Sequence, residues 1–72
     1  MPRNRRLIRD LTLLRMLERS RIGLTLDEMA SETGVTTRTI RRDLEALEEA
    51  GVPLVRADGR RWRIFDWRKE AA

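Results

Sequence analysis

The chain has no cysteine, no histidine and no tyrosine, and only three aromatic residues among its 72. Without cysteine there is no disulfide framework to hold a small domain together. Without cysteine or histidine there is also no thiolate or imidazole metal site, and no Cys or His nucleophile or base. A phosphate-cradling glycine loop is missing too. Only Asp/Glu pairs remain as catalytic candidates, and they fall on exposed helical stretches rather than in an inferable pocket. An enzyme is therefore the least favoured reading, and no cofactor is expected. No stretch approaches the ~18 apolar residues of a membrane span, and the arginine-rich N-terminus lacks the apolar core of a signal peptide. The expected location is the cytoplasm, at the nucleoid, with no membrane partner. A chain this short buries only about 60% of the surface its unfolded form exposes, so one compact apolar core must hold it.

What is present in quantity is arginine. Fifteen of the sixteen basic residues are Arg, against twelve acids, for a net charge of +4. Arginine favours planar, bidentate contact with phosphates and base edges, where lysine acts as a point charge. Placement says more than the total. Residues 1–21 hold seven Arg and two acids, residues 22–37 no base and three acids, and residues 38–42 three Arg. Residues 43–50 then hold four acids and no base, and residues 51–72 six bases and three acids. Positive charge in three blocks separated by acidic ones is a shaped footprint rather than uniform supercharging.

Residues 5–20 read as a first helix, with Leu7, Leu11, Leu14 and Leu17 as its apolar stripe. Ile8 and Leu13 flank that stripe, and Met16 falls on the opposite, exposed side. Gly23 ends the segment, leaving residues 22–26 room for a turn or one small strand. Thr25-Leu-Asp-Glu28 is a capping box that opens a second helix, and Gly34 fits the left-handed position just past its end. Thr36 is the N-cap of a third helix, with Val35 and Ile40 as a hydrophobic staple and Ile40, Leu44 and Leu47 as one stripe. A helix, a three-residue turn with glycine, and a second helix form the helix-turn-helix signature. Asp58-Gly59 is a two-residue hairpin signal between residues 52–56 and 60–65. That turn sets Arg56 opposite Arg61 and Val55 opposite Trp62. Val55, Trp62 and Ile64 then face inward, and Leu54 is the misfit. Pro53 suits an edge strand. The expected fold is mainly α with a small β-hairpin, a three-helix winged helix-turn-helix over residues 1–66. Residues 67–72 form a tail or linker stub, in which Trp67 stays open between partner contact, core cover and an exposed stub.

The run from Leu26 to Leu54 resembles the N-terminal DNA-binding domain of bacterial WYL-domain transcriptional regulators, and more distantly DeoR-type repressors. Its most specific parts are Arg38-Thr-Ile-Arg-Arg-Asp-Leu44, Gly51-Val-Pro53 and the aromatic-Arg-Ile ending at Ile64. The resemblance covers roughly residues 5–65. Two departures stand out. Arg60 and Arg61 occupy the hairpin tip, where the family carries a glycine-rich loop. The family's large C-terminal effector domain is also missing, which implies an excised domain or a stand-alone short protein.

The residues make the same case without the family. On the third helix (37–50), the face opposite Ile40, Leu44 and Leu47 carries Arg38, Arg42, Glu45 and Glu49. Each i,i+4 pair of like charges costs a few tenths of a kcal/mol. The arginines also stand at the positive end of the helix dipole and the glutamates at the negative end. A local rule broken on an exposed face marks function, and a phosphate-lined major groove would reward those arginines. Thr37, Arg38, Thr39, Arg41 and Arg42 are the candidate contacts, with Arg41 assigned to phosphate because it lies nearer the core. Asp43 is expected to orient a neighbouring arginine. Arg60 and Arg61 on the 57–61 wing form a second contact region, on the backbone or in the minor groove. Arg5, in an N-terminal arm over residues 2–6, forms a third, against the bland reading of a frayed terminus.

The leading expectation is sequence-specific double-stranded DNA binding by a bacterial transcription regulator. Palindromic half-sites and a homodimer formed through a missing C-terminal domain would fit the modest affinity of a single module. The alternative is a winged-helix protein–protein interaction module, which calls for exposed apolar residues on the third helix. Single-stranded nucleic-acid binding calls for several exposed aromatics, and only Phe65 and Trp67 are available.

Overall fold

The computed structural model describes residues 4–65. Trp67, the 67–72 tail, the domain boundary at residue 66 and the first two residues of the expected arm lie outside them. Helix α1 (Arg5–Arg19) is followed by strand β1 (Leu24–Thr25), helix α2 (Leu26–Thr33) and helix α3 (Thr37–Glu49). Strands β2 (Leu54–Arg56) and β3 (Arg61–Ile64) follow within the described residues. The sheet is antiparallel with order β1-β3-β2, so the hairpin gains a third strand and β3 is central. Three helices and this small sheet form the expected winged helix-turn-helix. No helix among the described residues is long and apolar enough to cross a membrane.

The two short-range helix starts form as their sequences dictate. The Thr25 hydroxyl accepts from the Glu28 amide at 3.1 Å, and the Glu28 carboxylate accepts from the Thr25 amide at 2.9 Å. Two amides that α2 would leave unsatisfied are thereby satisfied reciprocally. Gly34 takes the left-handed conformation, φ +74°, that stops α2 and lets the chain turn within three residues into α3. The Thr36 hydroxyl then accepts from the Thr39 amide at 3.2 Å.

Helix α1 corrects the expected stripe. Leu13 and Leu17 are buried, and Leu14 and Met16 pack against the core. Leu7, Ile8 and Leu11 are 59%, 61% and 51% exposed. The inward face is rotated, so that its N-terminal half presents Arg9 and Asp10 where leucines were expected. The physical reason lies in α3, whose inward face consists of Ile40, Asp43, Leu44 and Leu47. A carboxylate at 1% exposure needs a cation, and α1 turns its arginine side to supply one.

The hairpin also departs from its expected register. Leu54 pairs with Ile64, Val55 with Arg63 and Arg56 with Trp62, one residue away from the Asp58-Gly59 two-residue turn. A two-residue type I′ turn needs positive φ at both central positions. Only Gly59 of the two supplies it, at +67°, and no non-glycine residue among the described residues has positive φ. The loop therefore takes three residues, Asp58 to Arg60, with Ala57 donating to the Arg61 carbonyl at 2.9 Å. A one-residue shift exchanges the faces of the shifted strand relative to its partner. Leu54 joins Trp62 and Ile64 on the core, and Val55 gives up the inward place. Where β1 begins, Gly23 at φ +89° passes so close to β3 that a Cβ would lie 2.8 Å from the Trp62 carbonyl oxygen.

Candidate nucleic-acid interface

With Ile40, Leu44 and Leu47 buried, α3 turns Arg38, Arg41 and Arg42 outward, all exposed. None of the three has an ion-pair partner among the described residues. Thr37 is exposed beside them. Thr39 is half-buried, and its hydroxyl accepts from the Thr36 hydroxyl at 3.1 Å, which ties it to the helix cap. Glu45, Glu48 and Glu49 are exposed in the second half of the helix. Among the described residues no ion pair offsets the unfavourable order of charges along α3.

What holds this helix in place is Asp43. Its carboxylate accepts from the Arg9 guanidinium through both Nε and Nη2, the latter at 3.0 Å, and Arg6 Nε stands 3.6 Å from it. A two-point guanidinium–carboxylate contact fixes direction as well as distance. The hydrogen bonds to Asp43 raise the Arg9 pKa above its ordinary value, outweighing partial burial. Asp43 does orient an arginine, but the partner lies 34 positions away on α1 rather than on its own helix. The signal was present in the sequence, since residue 43 shares the apolar face with Ile40 and Leu47 and a carboxylate there demands a cation. Arg6 also approaches Asp10 at 3.9 Å. Residues 5 and 6 belong to α1 rather than to an extended arm. Exposed Arg5 borders a surface hollow shared with Thr33 and Val35, next to the α2–α3 turn.

The two wing arginines separate. Arg60 is exposed and has no ion-pair partner among the described residues. Arg61 is half-buried, and its Nη1 donates to the Gly23 carbonyl and to Glu28 Oε1, each at 3.2 Å. The expectation of an exposed Arg61 is corrected: the added loop residue takes only Arg60 out of the expected strand, and Arg61 opens β3, where it braces β3 against the capping box of α2. The Thr25 amide above all, with Arg61 assisting, holds the Glu28 carboxyl below its ordinary pKa.

Between the wing and the start of α3 lies an open cleft of about 270 Å³. Thr37 and Arg41 line it from α3, Asp27 from α2, and Arg56, Arg60 and Trp62 from the wing. Three of the expected contact residues, Thr37, Arg41 and Arg60, are thus brought to one place, while Arg38 and Arg42 occupy the exposed face of the same helix. Arg56 was not singled out from the sequence. Its guanidinium carbon stands 4.3 Å from the centroid of the Trp62 ring, and its Nη1 donates to the Gly59 carbonyl at 2.8 Å. Only the three-residue loop places Arg56 opposite Trp62, so the two-residue reading hid it.

The family model described as HTH domain matches residues 9–60, more than half of the chain. The chain belongs to this helix-turn-helix family. No curated protein and no solved structure matches it significantly. Within the helix-turn-helix domain, the matched span contains α2, the turn, all of α3 and the unpaired arginines from Arg38 to Arg60.

Proposed function

We infer that this helix-turn-helix domain binds double-stranded DNA with sequence preference, as the DNA-reading part of a bacterial transcription regulator. Helix α3 enters the major groove, where Arg38 and Arg42 reach base edges and Arg41 and Thr37 hold backbone. Arg is the commonest bidentate partner of guanine, and Thr can meet a thymine methyl or a phosphate. The observation that carries the reading is the set of exposed arginines on α3 that have no ion-pair partner among the described residues. The resemblance of the Arg38–Leu44 run to WYL-domain regulators supports the regulatory role. Arg60 supplies a wing contact to the backbone, and Arg5 approaches from the α1 end. An interaction module would need apolar residues on the outward face of α3, which is charged instead.

Selection of binding sites from randomised duplex DNA tests this directly. It yields a motif and, for a dimer, a half-site spacing near one or more helical turns. Arg38→Ala and Arg42→Ala should each relax the preference at one or two base pairs by ~1–3 kcal/mol. Equal losses on selected and random duplexes would reduce both residues to phosphate contacts.

A further inference from the structure

The wing cleft contains an arginine, Arg56, that neutralises no acid among the described residues. Arg56 lies over Trp62 and is pinned by one hydrogen bond to the Gly59 carbonyl. A guanidinium over an indole face is attracted by the ring quadrupole, while its edge donors stay available. Arg56, Arg41 and Arg60 all line the cleft, and none of them has an ion-pair partner among the described residues. Asp27 also borders it, as an acid in the first turn of α2, and forms no ion pair among the described residues. Three guanidiniums against one carboxylate leave the cleft positive. At about 270 Å³ it is smaller than the roughly 300–1,000 Å³ of small-molecule pockets, and it is open to solvent. Such a site suits one anionic unit of a long polymer better than an enclosed metabolite.

We propose that Arg56, positioned by Trp62, anchors a seat for a single DNA backbone phosphate between the wing and the first turn of α3. The inference rests on the duplex-binding reading above and deepens it. Arg41 closes the seat from α3 and Arg60 from the wing. The ring and the Gly59 carbonyl order the Arg56 side chain before DNA arrives, so less rotamer freedom is lost on binding. A contact of this kind carries no sequence information. It fixes the register of the domain on the duplex, and so decides which base pairs Arg38 and Arg42 meet.

The test uses a duplex obtained by selection with the wild-type chain, synthesised with one neutral methylphosphonate at each backbone position in turn. Arg56→Gln keeps much of the aliphatic stem and removes the charge from an exposed residue, so folding should be retained, as a melting curve would check. The variant should bind selected and random duplexes alike roughly tenfold more weakly. The slope of log K against log salt should flatten by about one. One methylphosphonate position should weaken the wild type by a similar factor and leave the variant unaffected. Wild-type affinity and slope in Arg56→Gln would overturn the seat, as would a loss in the variant that stays the same at every methylphosphonate position. If Arg38→Ala is impaired in the same assay while Arg56→Gln is not, the seat fails and duplex binding stands. If the wild type selects and binds no duplex, the duplex-binding reading itself fails, and the seat with it.

Discussion

In α1, Arg6 and Arg9 turn toward the buried carboxylate of Asp43, and the leucines at positions 7 and 11 are left facing water. In α3, the leucines and Ile40 are buried, and Arg38, Arg41 and Arg42 face water with no ion-pair partner among the described residues. The wing repeats the contrast within two adjacent residues, Arg61 braced against Glu28 and Arg60 without an ion pair among the described residues. Arginine therefore has two roles in this molecule. Some guanidiniums satisfy internal acids and position the elements, while others are kept unsatisfied on the surfaces that the elements present. The first group sets the geometry on which the second depends, because Arg9 and Asp43 join α1 to the helix that carries Arg38 and Arg42.

The sharpest way to break this comparison is to treat the two leucine sets of α1 as equivalent. Leu13→Ala should destabilise the domain by ~2–5 kcal/mol, since its side chain is fully enclosed. Leu11→Ala, at a half-exposed position, should stay within about 0.5 kcal/mol. Chemical denaturation of the two variants measures the gap directly. Comparable losses would mean that the face with Leu7 and Leu11 is the packed one.

The Arg9–Asp43 contact comes next. Asp43→Asn keeps the volume and removes the charge, so both points of the Arg9 contact weaken. A loss of ~1.5–3 kcal/mol is expected, the range for hydrogen bonds to charged groups. If α3 is positioned by this contact, the variant should also bind selected DNA more weakly than its stability loss explains, under conditions where it is fully folded. A variant that melts like the wild type would make the contact incidental.

Elements whose determinants lie within a few residues of one another were legible in the sequence. The Thr25–Glu28 box, the Thr36 cap, Gly34 and the Ile40-Leu44-Leu47 face all formed where local chemistry placed them. The outward position of Arg38 and Arg42 follows from that face alone. The rotation of α1 was not legible from α1, because its cause, Asp43, lies 34 positions further on and the leucines at 7, 11, 14 and 17 form a persuasive stripe. Arg61 had the same problem, with Glu28 33 positions away. The hairpin turned on a single dihedral. Asp58 at negative φ lengthened the loop by one residue, and that exchanged Val55 for Leu54 on the core and brought Arg56 to Trp62.

The wing pair offers a smaller test. Arg61→Ala removes the hydrogen bonds to Gly23 and Glu28 from a partly exposed site, so a loss of about 1 kcal/mol in stability is expected. Arg60→Ala should leave the melting temperature alone and flatten the salt dependence of duplex binding by about one unit of slope. Measured side by side, the two variants should separate completely, one in folding and one in binding. A shared loss of salt dependence with intact folding would return Arg61 to the DNA-contacting group.

Asp10 provides the smallest effect and the finest test of how α1 treats its charges. Burial first, and the negative charge of Asp43 second, push the Asp10 carboxyl above its ordinary pKa, while Arg6 and Arg9 pull it down by less. Its Oδ1 is buried without a hydrogen-bond partner among the described residues. The Arg6 contact at 3.9 Å comes from a side chain that is 60% exposed, and such pairs contribute little. A carboxyl raised in the folded state binds its proton before the unfolded chain does as the pH falls. Ionised Asp10 therefore weakens the fold at neutral pH, and that penalty disappears as the pH drops through the raised folded value toward the ordinary unfolded one. Asp10→Asn should melt slightly above the wild type at neutral pH, with the difference shrinking on acidification. Taking the difference between the two proteins cancels the opposite contribution of Glu28, whose lowered carboxyl supports folding above its ordinary value and loses that support in acid. A variant that melts below the wild type at neutral pH would show that the attraction of Arg6 and Arg9 outweighs burial, and would place Asp10 with Asp43 among the acids that hold α1 to α3.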